Sequence, residues 1–352
     1  MDKTISTTKI DIKSLPMDAL IASIEEMGEK KFRAKQIYEW LHVKLVNSFE
    51  EMSNLSKPLR EKLEERYVIY FGKMVDRRVS ANDETSKFLF ELHDGSVIES
   101  VLMKYKHGNS VCVSSQVGCR MGCRFCASTI GGLERNLATS EILDQIYEIQ
   151  KVTNERVSNV VVMGSGEPFD NYDNILNFIR MLSDENGLNI SQRNITVSTC
   201  GLVPRIKQLA DEELQITLAI SLHSPNDTAR RELMPIANKY SIAEIMDACS
   251  YYYSKTNRRI TFEYSLVQNV NDSEEFAMQL VKLVRGLNCH VNLIPVNPIK
   301  ERNFKHSNDT FIQKFKNILE KNRINVTIRR EMGTDIDAAC GQLRKSYIEN
   351  HR

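Results

Sequence analysis

The sequence lacks several features that would assign it to particular classes of protein. It has no apolar run of membrane-spanning length, and its first residues contain no apolar signal core or cleavage site. It also has no internal repeat, long linker or low-complexity tract. These absences argue against a membrane-spanning or repeat protein and lead us to expect a cytoplasmic location.

An excess of charge of one sign is also missing. The 47 Lys and Arg residues nearly balance the 46 Asp and Glu residues, which gives a formal charge of +1. Bulk charge therefore gives no sign of nucleic-acid binding, although short basic clusters occur. These are Lys30–Lys35, Arg77-Arg78, Arg230-Arg231, Arg258-Arg259 and Arg329-Arg330. Such clusters are typical either of a phosphate-binding face or of solvated surface pairs.

The remaining composition is that of an ordinary globular protein. With 352 residues, of which 41% are hydrophobic and 26% charged, the chain can bury a large core and form two domains. It contains eight cysteines. In a reducing compartment, such cysteines are interpreted as metal ligands, nucleophiles or core thiols rather than as a disulfide framework.

Three cysteines lie in one short loop with the spacing C-x3-C-x2-C: Cys119, Cys123 and Cys126. Thiolates favour iron–sulfur clusters, zinc or copper(I), and structural zinc sites usually have four ligands. Three thiolates leave one metal position open, which favours a [4Fe–4S] cluster whose fourth iron binds a small chelating molecule. Gly122 allows the backbone to wrap closely around such a cluster.

Strand-like and helical segments alternate after this loop, which predicts an α/β fold with a parallel sheet covered by helices. The predicted helices cover 141–151, 173–182, 203–209, 241–254, 273–285 and 310–320, and the predicted strands cover 158–163, 194–198, 215–222, 260–267, 290–294 and 325–329. The pattern alone allows either a doubly wound sheet or a full or partial barrel.

The chain before the cysteine loop shows two other patterns. Residues 1–75 are typical of a small helical unit, in which Ala34, Ile37, Trp40 and Leu41 share one helical face. The segment that follows contains Asp94-Gly95 between two apolar-rich runs, which predicts a β-hairpin.

Several candidate site residues stand at the ends of the predicted strands or shortly after them, where a parallel sheet builds its site. They are Gly166, Glu167, Ser198, Ser221, Leu222, His223 and Asn297, with Leu222 the apolar member of a short motif. Taken alone, the glycine pair at 164 and 166 is more typical of a tight turn than of a binding site, and a single histidine after a buried strand is more often structural.

These motifs together resemble one family. The cysteine loop with Phe125 before its last cysteine is similar to that of radical S-adenosylmethionine (SAM) enzymes. Five further segments, in the same order, resemble the bacterial dual-specificity RNA adenine-C2 methyltransferases of that superfamily. These are Gly164–Pro168, Ser198–Gly201, Ser221–Ser224, His290–Pro295 and Asp335–Gly341. The resemblance runs from about Phe32 to Gln342.

The resemblance implies a fold and a domain organisation. A partial (β/α)6 radical SAM barrel is expected over residues 106–342. A small N-terminal helical, RNA-binding accessory domain is expected over 1–75, with a connecting β-hairpin over 76–105 and a polar tail over 343–352.

The resemblance also implies the role of each site residue. Cys119, Cys123 and Cys126 are expected to hold a [4Fe–4S] cluster. SAM, two molecules per turnover, is expected to contact Gly166, Glu167, Ser198, Ser221, Leu222, His223 and Asn297. Cys340 is expected to carry the methyl group as S-methylcysteine, Glu99 to remove the C2 proton, and Cys112 to release the product through a transient disulfide with Cys340.

The implied substrates are an adenosine of 23S rRNA and an anticodon-adjacent adenosine in some tRNAs. A flavodoxin or ferredoxin system is the expected electron donor, no membrane partner is expected, and a monomer is expected. Three alternatives remain at this stage: an adenine-C8 rRNA methyltransferase of the antibiotic-resistance type, a non-enzymatic RNA-binding protein with Cys112 as a fourth zinc ligand, and a radical SAM enzyme acting on a small molecule.

Overall fold

A computed structural model describes residues 9–299, 301–339 and 341–343 of the chain. Its first part is helical. It contains β1 (Ile10–Asp11), α1 (Met17–Glu26), α2 (Phe32–His42), α3 (Lys57–Arg66) and β2 (Tyr67–Val68), and the two short strands pair in parallel. The predicted apolar face of α2 is confirmed: Ala34, Ile37 and Leu41 are fully buried, whereas Trp40 is only partly buried against the core.

Four antiparallel strands follow and form one end of a ten-stranded sheet. They are β3 (Lys73–Val79), β4 (Ser86–Glu91), β5 (Val97–Tyr105) and β6 (Gly108–Cys112). The predicted Asp94-Gly95 hairpin is confirmed, because Glu91 pairs with Val97 across that turn. Gly95 has a φ of 80°, a conformation that glycine adopts without steric cost.

The cysteine loop is framed by a separate small hairpin. Its strands are β7 (Gln116–Gly118) and β8 (Leu133–Asn136), which pair in antiparallel fashion. Gly118 and Gly132 lie at this junction, where a Cβ on Gly118 would stand 2.0 Å from the Gly132 carbonyl oxygen. The hairpin therefore fixes both ends of the segment that carries the three cysteines.

Six strand–helix units complete the sheet in parallel order, so the prediction of a partial (β/α)6 barrel is confirmed. The first pairs β6 with α4 (Thr139–Thr153), and the others pair β9 (Val157–Val162) with α5 (Tyr172–Leu182), β10 (Ile195–Thr199) with α6 (Val203–Asp211), β11 (Thr217–Ser221) with α7 (Asp227–Leu233) and α8 (Ile242–Thr256), β12 (Ile260–Leu266) with α9 (Glu274–Val284), and β13 (Cys289–Pro295) with α10 (Asp309–Lys321). Strand β14 (Val326–Ile328) pairs with β13 at the far end. Because β14 and β3 stand at opposite ends of the sheet, the barrel is open.

The N-terminal helices pack on α4 through buried polar contacts. Lys13 Nζ lies 2.6 and 2.7 Å from the two carboxylate oxygens of Asp144, and both side chains are buried. His42 Nδ1 lies 2.8 Å from the Tyr147 hydroxyl. One hydrophobic core runs through both parts of the molecule. The boundaries at residues 75 and 105 stay predictions. Among the described residues, no helix is long and apolar enough to cross a membrane.

Candidate active site

The cysteine loop follows β7 and lies against the segment after α7. Cys119 is buried, and Cys123 and Cys126 are partly buried. Gly122 has a φ of 74°, and a Cβ there would meet the Pro235 ring at 3.3 Å. The glycine therefore lets the loop turn sharply against its neighbour, as the sequence predicts.

The three thiols form one electrostatic group. Burial, with a smaller contribution from the charge of nearby Cys126, raises the pKa of Cys119 to about 12. Burial, followed by the charges of Cys126 and Cys119, raises the pKa of Cys123 well above its usual range. Since metal ligation requires thiolates, a strongly cationic iron core would have to stabilise them in this place.

The donor set fits an iron–sulfur cluster better than a single ion. Within the described part of the chain, no three His, Cys, Asp or Glu side chains lie close enough to share one metal ion. Cysteines that bind different irons of a cluster stand further apart than ligands of one ion. Cys112 packs in another side-chain cluster, with Met332 and Ala338, rather than in the one that contains Cys123.

A cavity opens beside the loop at the carboxyl ends of the parallel strands, and we call it the cysteine-side cavity. It brings together four of the predicted SAM contacts with part of the cysteine loop, and its lining includes Ser198, Ser221, His223, Asn297, Phe125, Cys126 and Gly341. The other three predicted contacts, Gly166, Glu167 and Leu222, are not part of that lining. Leu222 is fully buried.

His223 is held in one tautomer at the edge of this cavity. Its Nδ1 accepts a 2.9 Å hydrogen bond from the Ser265 main-chain N–H, so the ring proton resides on Nε2. Its ring packs edge-on to Phe125, with centroids 4.8 Å apart. Burial, aided by Arg230, lowers the pKa of His223 to about 3. The imidazole is therefore a neutral hydrogen-bond donor toward a ligand at neutral pH.

The Gly-x-Gly-Glu turn after β9 is packed too closely for a side chain. Gly166 has a φ of 106°, and a Cβ there would lie 2.6 Å from the Gln116 Cβ. Glu167 accepts hydrogen bonds from the main-chain N–H groups of Phe169 at 3.0 Å and Cys200 at 2.8 Å. Its carboxylate thus joins the loops that follow β9 and β10 and fixes their relative position.

A second cavity, which we call the Cys112-side cavity, lies next to the first. The two share Met163, Ile294, Asn297 and Arg329 as lining residues. Cys112 lines the second cavity together with Ala339, whereas Gly341 lines the first. Cys340 lies outside the described residues, but its two chain neighbours line the two adjoining cavities.

Glu99 lies in the interior of β5 and lines a third cavity, whereas Val101, two residues further along the strand, lines the Cys112-side cavity. Its carboxylate is 3.2 Å from Lys87 Nζ, and both side chains are almost completely buried. Lys87 Nζ also donates a 3.1 Å hydrogen bond to the Asp337 carbonyl oxygen. The lysine therefore connects Glu99 to the segment before Cys340. Nothing in the sequence pattern indicates a role for Lys87, because a lysine in an alternating strand is normally solvent-exposed.

The remaining cysteines and one basic cluster also have clear outcomes. Cys249 and Cys289 are core thiols. Cys200 is buried and lies in the same apolar cluster as Cys123, so it contacts the site. Arg230 is fully buried, which makes the prediction of Arg230-Arg231 as a surface cluster wrong for its first member.

An open (β/α)6 barrel with three cysteines at the carboxyl ends of its strands is the architecture of a radical SAM enzyme. The model of the radical SAM superfamily matches residues 113–281, and a model described as the ribosomal RNA large subunit methyltransferase N-terminal domain matches residues 10–69. The chain belongs to the RlmN family of dual-specificity RNA methyltransferases.

Curated relatives and a solved structure support this assignment over nearly the whole chain. A probable dual-specificity RNA methyltransferase RlmN from Lachnoclostridium phytofermentans is 65% identical over 97% of this chain and 96% of its own length. One from Lachnospira eligens is 65% identical over 97% of each chain. The crystal structure of a radical SAM methyltransferase from Sphaerobacter thermophilus matches with a TM-score of 0.91 and 42% identity, and it covers 96% of this chain and 99% of that one.

Proposed function

We propose that this enzyme methylates C2 of a specific adenosine in 23S rRNA and of an anticodon-adjacent adenosine in some tRNAs. The observation that carries the proposal is the pair of adjoining cavities, one beside the cysteine loop and one beside Cys112. Each cavity is lined by one of the two chain neighbours of Cys340. The printed names of the relatives, dual-specificity RNA methyltransferases, support RNA as the substrate class.

The chemistry of adenine C2 explains why two cysteines are needed. This carbon is electron-poor, so it does not attack the methyl group of SAM directly. A thiolate does so readily, which makes Cys340 the proposed first acceptor of the methyl group. One SAM would supply this methyl and a second would supply the radical that activates it, so two are consumed per turnover.

Cys119, Cys123 and Cys126 would hold the [4Fe–4S] cluster, which when bound supplies the electron that splits SAM into methionine and a 5′-deoxyadenosyl radical. The chain's own residues would position SAM: the neutral Nε2–H of His223 and the amide of Asn297 face the cysteine-side cavity. Ser198 and Ser221 line the same cavity. The Gly166-Glu167 turn would present its main chain to the methionine part.

Glu99 and Cys112 would complete the reaction after the methyl carbon has joined C2. Glu99, whose carboxylate lies 3.2 Å from Lys87 Nζ, would accept the C2 proton. Cys112 would then attack the sulfur of Cys340, so that the S–S bond forms as the bond between that sulfur and the methylene carbon breaks. The carbon would take up a proton to become the methyl group of the released RNA, and the remaining unpaired electron would pass to the cluster. The burial of Cys112 beside Ala338 and Met332 favours this pairing, since these residues belong to the segment that leads to Cys340.

The C8 alternative is disfavoured by the Glu167-Pro168-Phe169 and Ile294–Pro298 segments, which resemble the C2 enzymes. We further propose the cytoplasm as the place of action, a flavodoxin or ferredoxin system as the electron donor, and a monomeric enzyme. The N-terminal helices, with exposed Lys30, Lys31 and Lys35, would help to hold the RNA backbone.

The first test is peptide mass spectrometry of the anaerobically purified protein. One added methyl on Cys340 would support the relay, and an unmodified Cys340 after SAM is supplied to cluster-loaded enzyme would refute it. Nucleoside analysis of RNA treated with the enzyme then distinguishes 2-methyladenosine from the C8 isomer. A Cys340→Ala variant, which retains the three cluster cysteines, is the matched control.

A further inference from the structure

Arg230 is a buried cation that has no buried anion to balance it among the described residues. It belongs to α7 and has no exposed surface. No described carboxylate lies within ion-pair distance of its guanidinium. A buried charge without a partner is strongly unfavourable, so an arginine in this position requires a counter-charge.

The hydrogen bonds of Arg230 do not supply that counter-charge. Its Nη2 donates to the carbonyl oxygens of Cys200 at 2.7 Å and Ser221 at 3.3 Å, and its Nε donates to that of Leu222 at 3.1 Å. All three acceptors are neutral. Nη1 is buried and has no hydrogen-bond partner among the described residues. Among the described residues, the guanidinium charge is therefore not balanced by an anion, and its Nη1 donor has no acceptor.

The surroundings of Arg230 identify where the missing anion belongs. Arg230 Nη2 contacts the main chain of Cys200, and the Cys200 side chain packs in one apolar cluster with the cluster cysteine Cys123. Burial lowers the pKa of Arg230, whereas the charges of Cys200, Cys123 and Asp227 raise it. Helix α7 also holds the cysteine loop, because the Leu233 carbonyl accepts a 2.9 Å hydrogen bond from the Arg124 N–H, between two of the cluster cysteines. Arg230 is not among the residues that line the cysteine-side cavity. It thus lies next to the cluster cysteines and outside that cavity, and it contacts only the main chain of Ser221 and Leu222.

We propose that Arg230 is the buried counter-cation of the iron–sulfur cluster. A four-iron cluster with three thiolate ligands is negatively charged, and reduction adds one further negative charge. A fixed positive charge nearby stabilises the reduced state more than the oxidised state, because net charge and hydrogen bonds to sulfur set cluster potentials. Arg230 is a positioning residue, and its role rests on the proposed function insofar as it assumes the cluster.

The test is a redox titration of the reconstituted full-length protein, without SAM or RNA, followed by electron paramagnetic resonance. Arg230→Met and Arg230→Gln remove the charge and are expected to shift the midpoint potential to more negative values. Arg230→Lys keeps the charge and is expected to stay near the wild-type value. Equal potentials for neutral variants and wild type, at equal iron content, would overturn the proposal.

Arg258→Met is the matched control. Like Arg230, Arg258 donates from Nε to a main-chain carbonyl of the barrel, that of Ile216. Ile216 directly precedes β11, whereas the Arg230 acceptors Ser221 and Leu222 lie at the opposite end of that strand. The control is therefore expected to leave the potential unchanged. Cluster loss in both neutral variants but not in Arg230→Lys would also support the proposal. Cluster loss in all three variants would overturn it in favour of a purely structural role.

A measurement on the wild type avoids any dependence on variant folding. Protein labelled with guanidinium-¹⁵N arginine is reduced and examined by pulsed electron paramagnetic resonance. A ¹⁵N coupling to the cluster that disappears in Arg230→Lys supports the contact, and a spectrum unchanged by that variant contradicts it. Iron and sulfide analysis separates the two ideas: wild type without a four-iron cluster refutes both, whereas a cluster-bearing protein that never methylates Cys340 refutes only the proposed function.

Discussion

The main-chain N–H of Ala127 donates a 2.8 Å hydrogen bond to the carbonyl oxygen of Gly341. Ala127 follows the last cluster cysteine, and Gly341 follows the proposed methyl carrier. A second bond runs beside the first, from the Ser128 hydroxyl to the Leu343 carbonyl oxygen at 2.9 Å. The two halves of the proposed chemistry are therefore connected directly through the main chain, and the position of one depends on that of the other.

Gly341→Ala tests this connection. Gly341 has a φ of 81°, and a Cβ there would approach the Phe125 carbonyl oxygen at 3.4 Å. An L side chain in the left-handed region costs about 1–2 kcal/mol, so the turn is expected to move away from the cysteine loop. We expect SAM cleavage with a chemical reductant to persist while methylation of Cys340 falls about tenfold or more, since about 1.4 kcal/mol corresponds to a factor of ten. Parallel loss of both activities would contradict this.

Gly166→Ala is expected to weaken SAM binding by at least about tenfold. Alanine at this position has the energetic cost of a positive φ, and its Cβ would also lie only 2.6 Å from the Gln116 Cβ. The turn can relieve this collision only by moving. Gly131→Ala is the matched control, because Gly131 has a φ of 86° but no atom within 4 Å of its Cβ position. Equilibrium dialysis of SAM with both variants makes the comparison. Equal affinities would show that the turn after β9 does not shape the SAM site.

Glu99→Gln is expected to stop the reaction after the RNA has joined the protein. The amide cannot accept the C2 proton, whereas methylation of Cys340 does not need Glu99. Labelled RNA should therefore remain attached to the enzyme on a denaturing gel. The change also deprives buried Lys87 of its carboxylate, and breaking such a pair costs about 3–5 kcal/mol, so folding must be verified by circular dichroism. Glu91→Gln, on the neighbouring strand, is the control, and free methylated RNA from Glu99→Gln would exclude this base.

His42 is expected to make stability depend on pH. Burial, followed by the charge of Lys13, lowers its pKa to about 3 in the folded protein, against about 6.5 when unfolded. Between these two pH values, His42 binds a proton in the unfolded chain but not in the folded chain. Stability therefore falls as pH decreases from about 6.5 toward 3. A change from pH 7 to pH 5 should therefore lower the free energy of unfolding by about 2 kcal/mol through this group.

Urea denaturation of wild type and His42→Gln at both pH values measures the effect. The variant loses the contact with the Tyr147 hydroxyl and is expected to be less stable at pH 7, but its stability should change less with pH. A His107→Gln variant, at an exposed position, should retain the wild-type pH dependence. Identical pH dependence in wild type and His42→Gln would contradict the prediction.

Local sequence patterns predicted the barrel well because each strand–helix unit carries its own signal. The strand predicted over 260–267 is observed as Ile260–Leu266, and the helix predicted over 310–320 as Asp309–Lys321. Apolar periodicity and helix caps are local properties, so they survive in the sequence. The cysteine loop could likewise be recognised by its spacing alone.

Partnerships between distant residues could not be predicted in this way. Lys13 is 131 residues from Asp144 in the chain, and nothing near either residue announces the pair. The burial of Arg230 was missed for a related reason. An arginine next to another arginine is usually solvent-exposed, and only the packing of α7 against the cysteine loop shows otherwise.

The segment from Gly333 to Asp337, which precedes Cys340 in the chain, has a consequence for how the molecule folds. Gly333 and Asp337 are each joined to the first hairpin strands by bonds between residues 250 positions apart, to Asp83 and Lys87. Closing a loop of this length carries an entropic cost that local contacts do not, so we expect these contacts to form late in folding. The cysteine loop would then be assembled before this segment covers it. During that interval the thiols are open to oxygen, so we expect the yield of active enzyme to depend on how quickly this last closure follows the rest of folding.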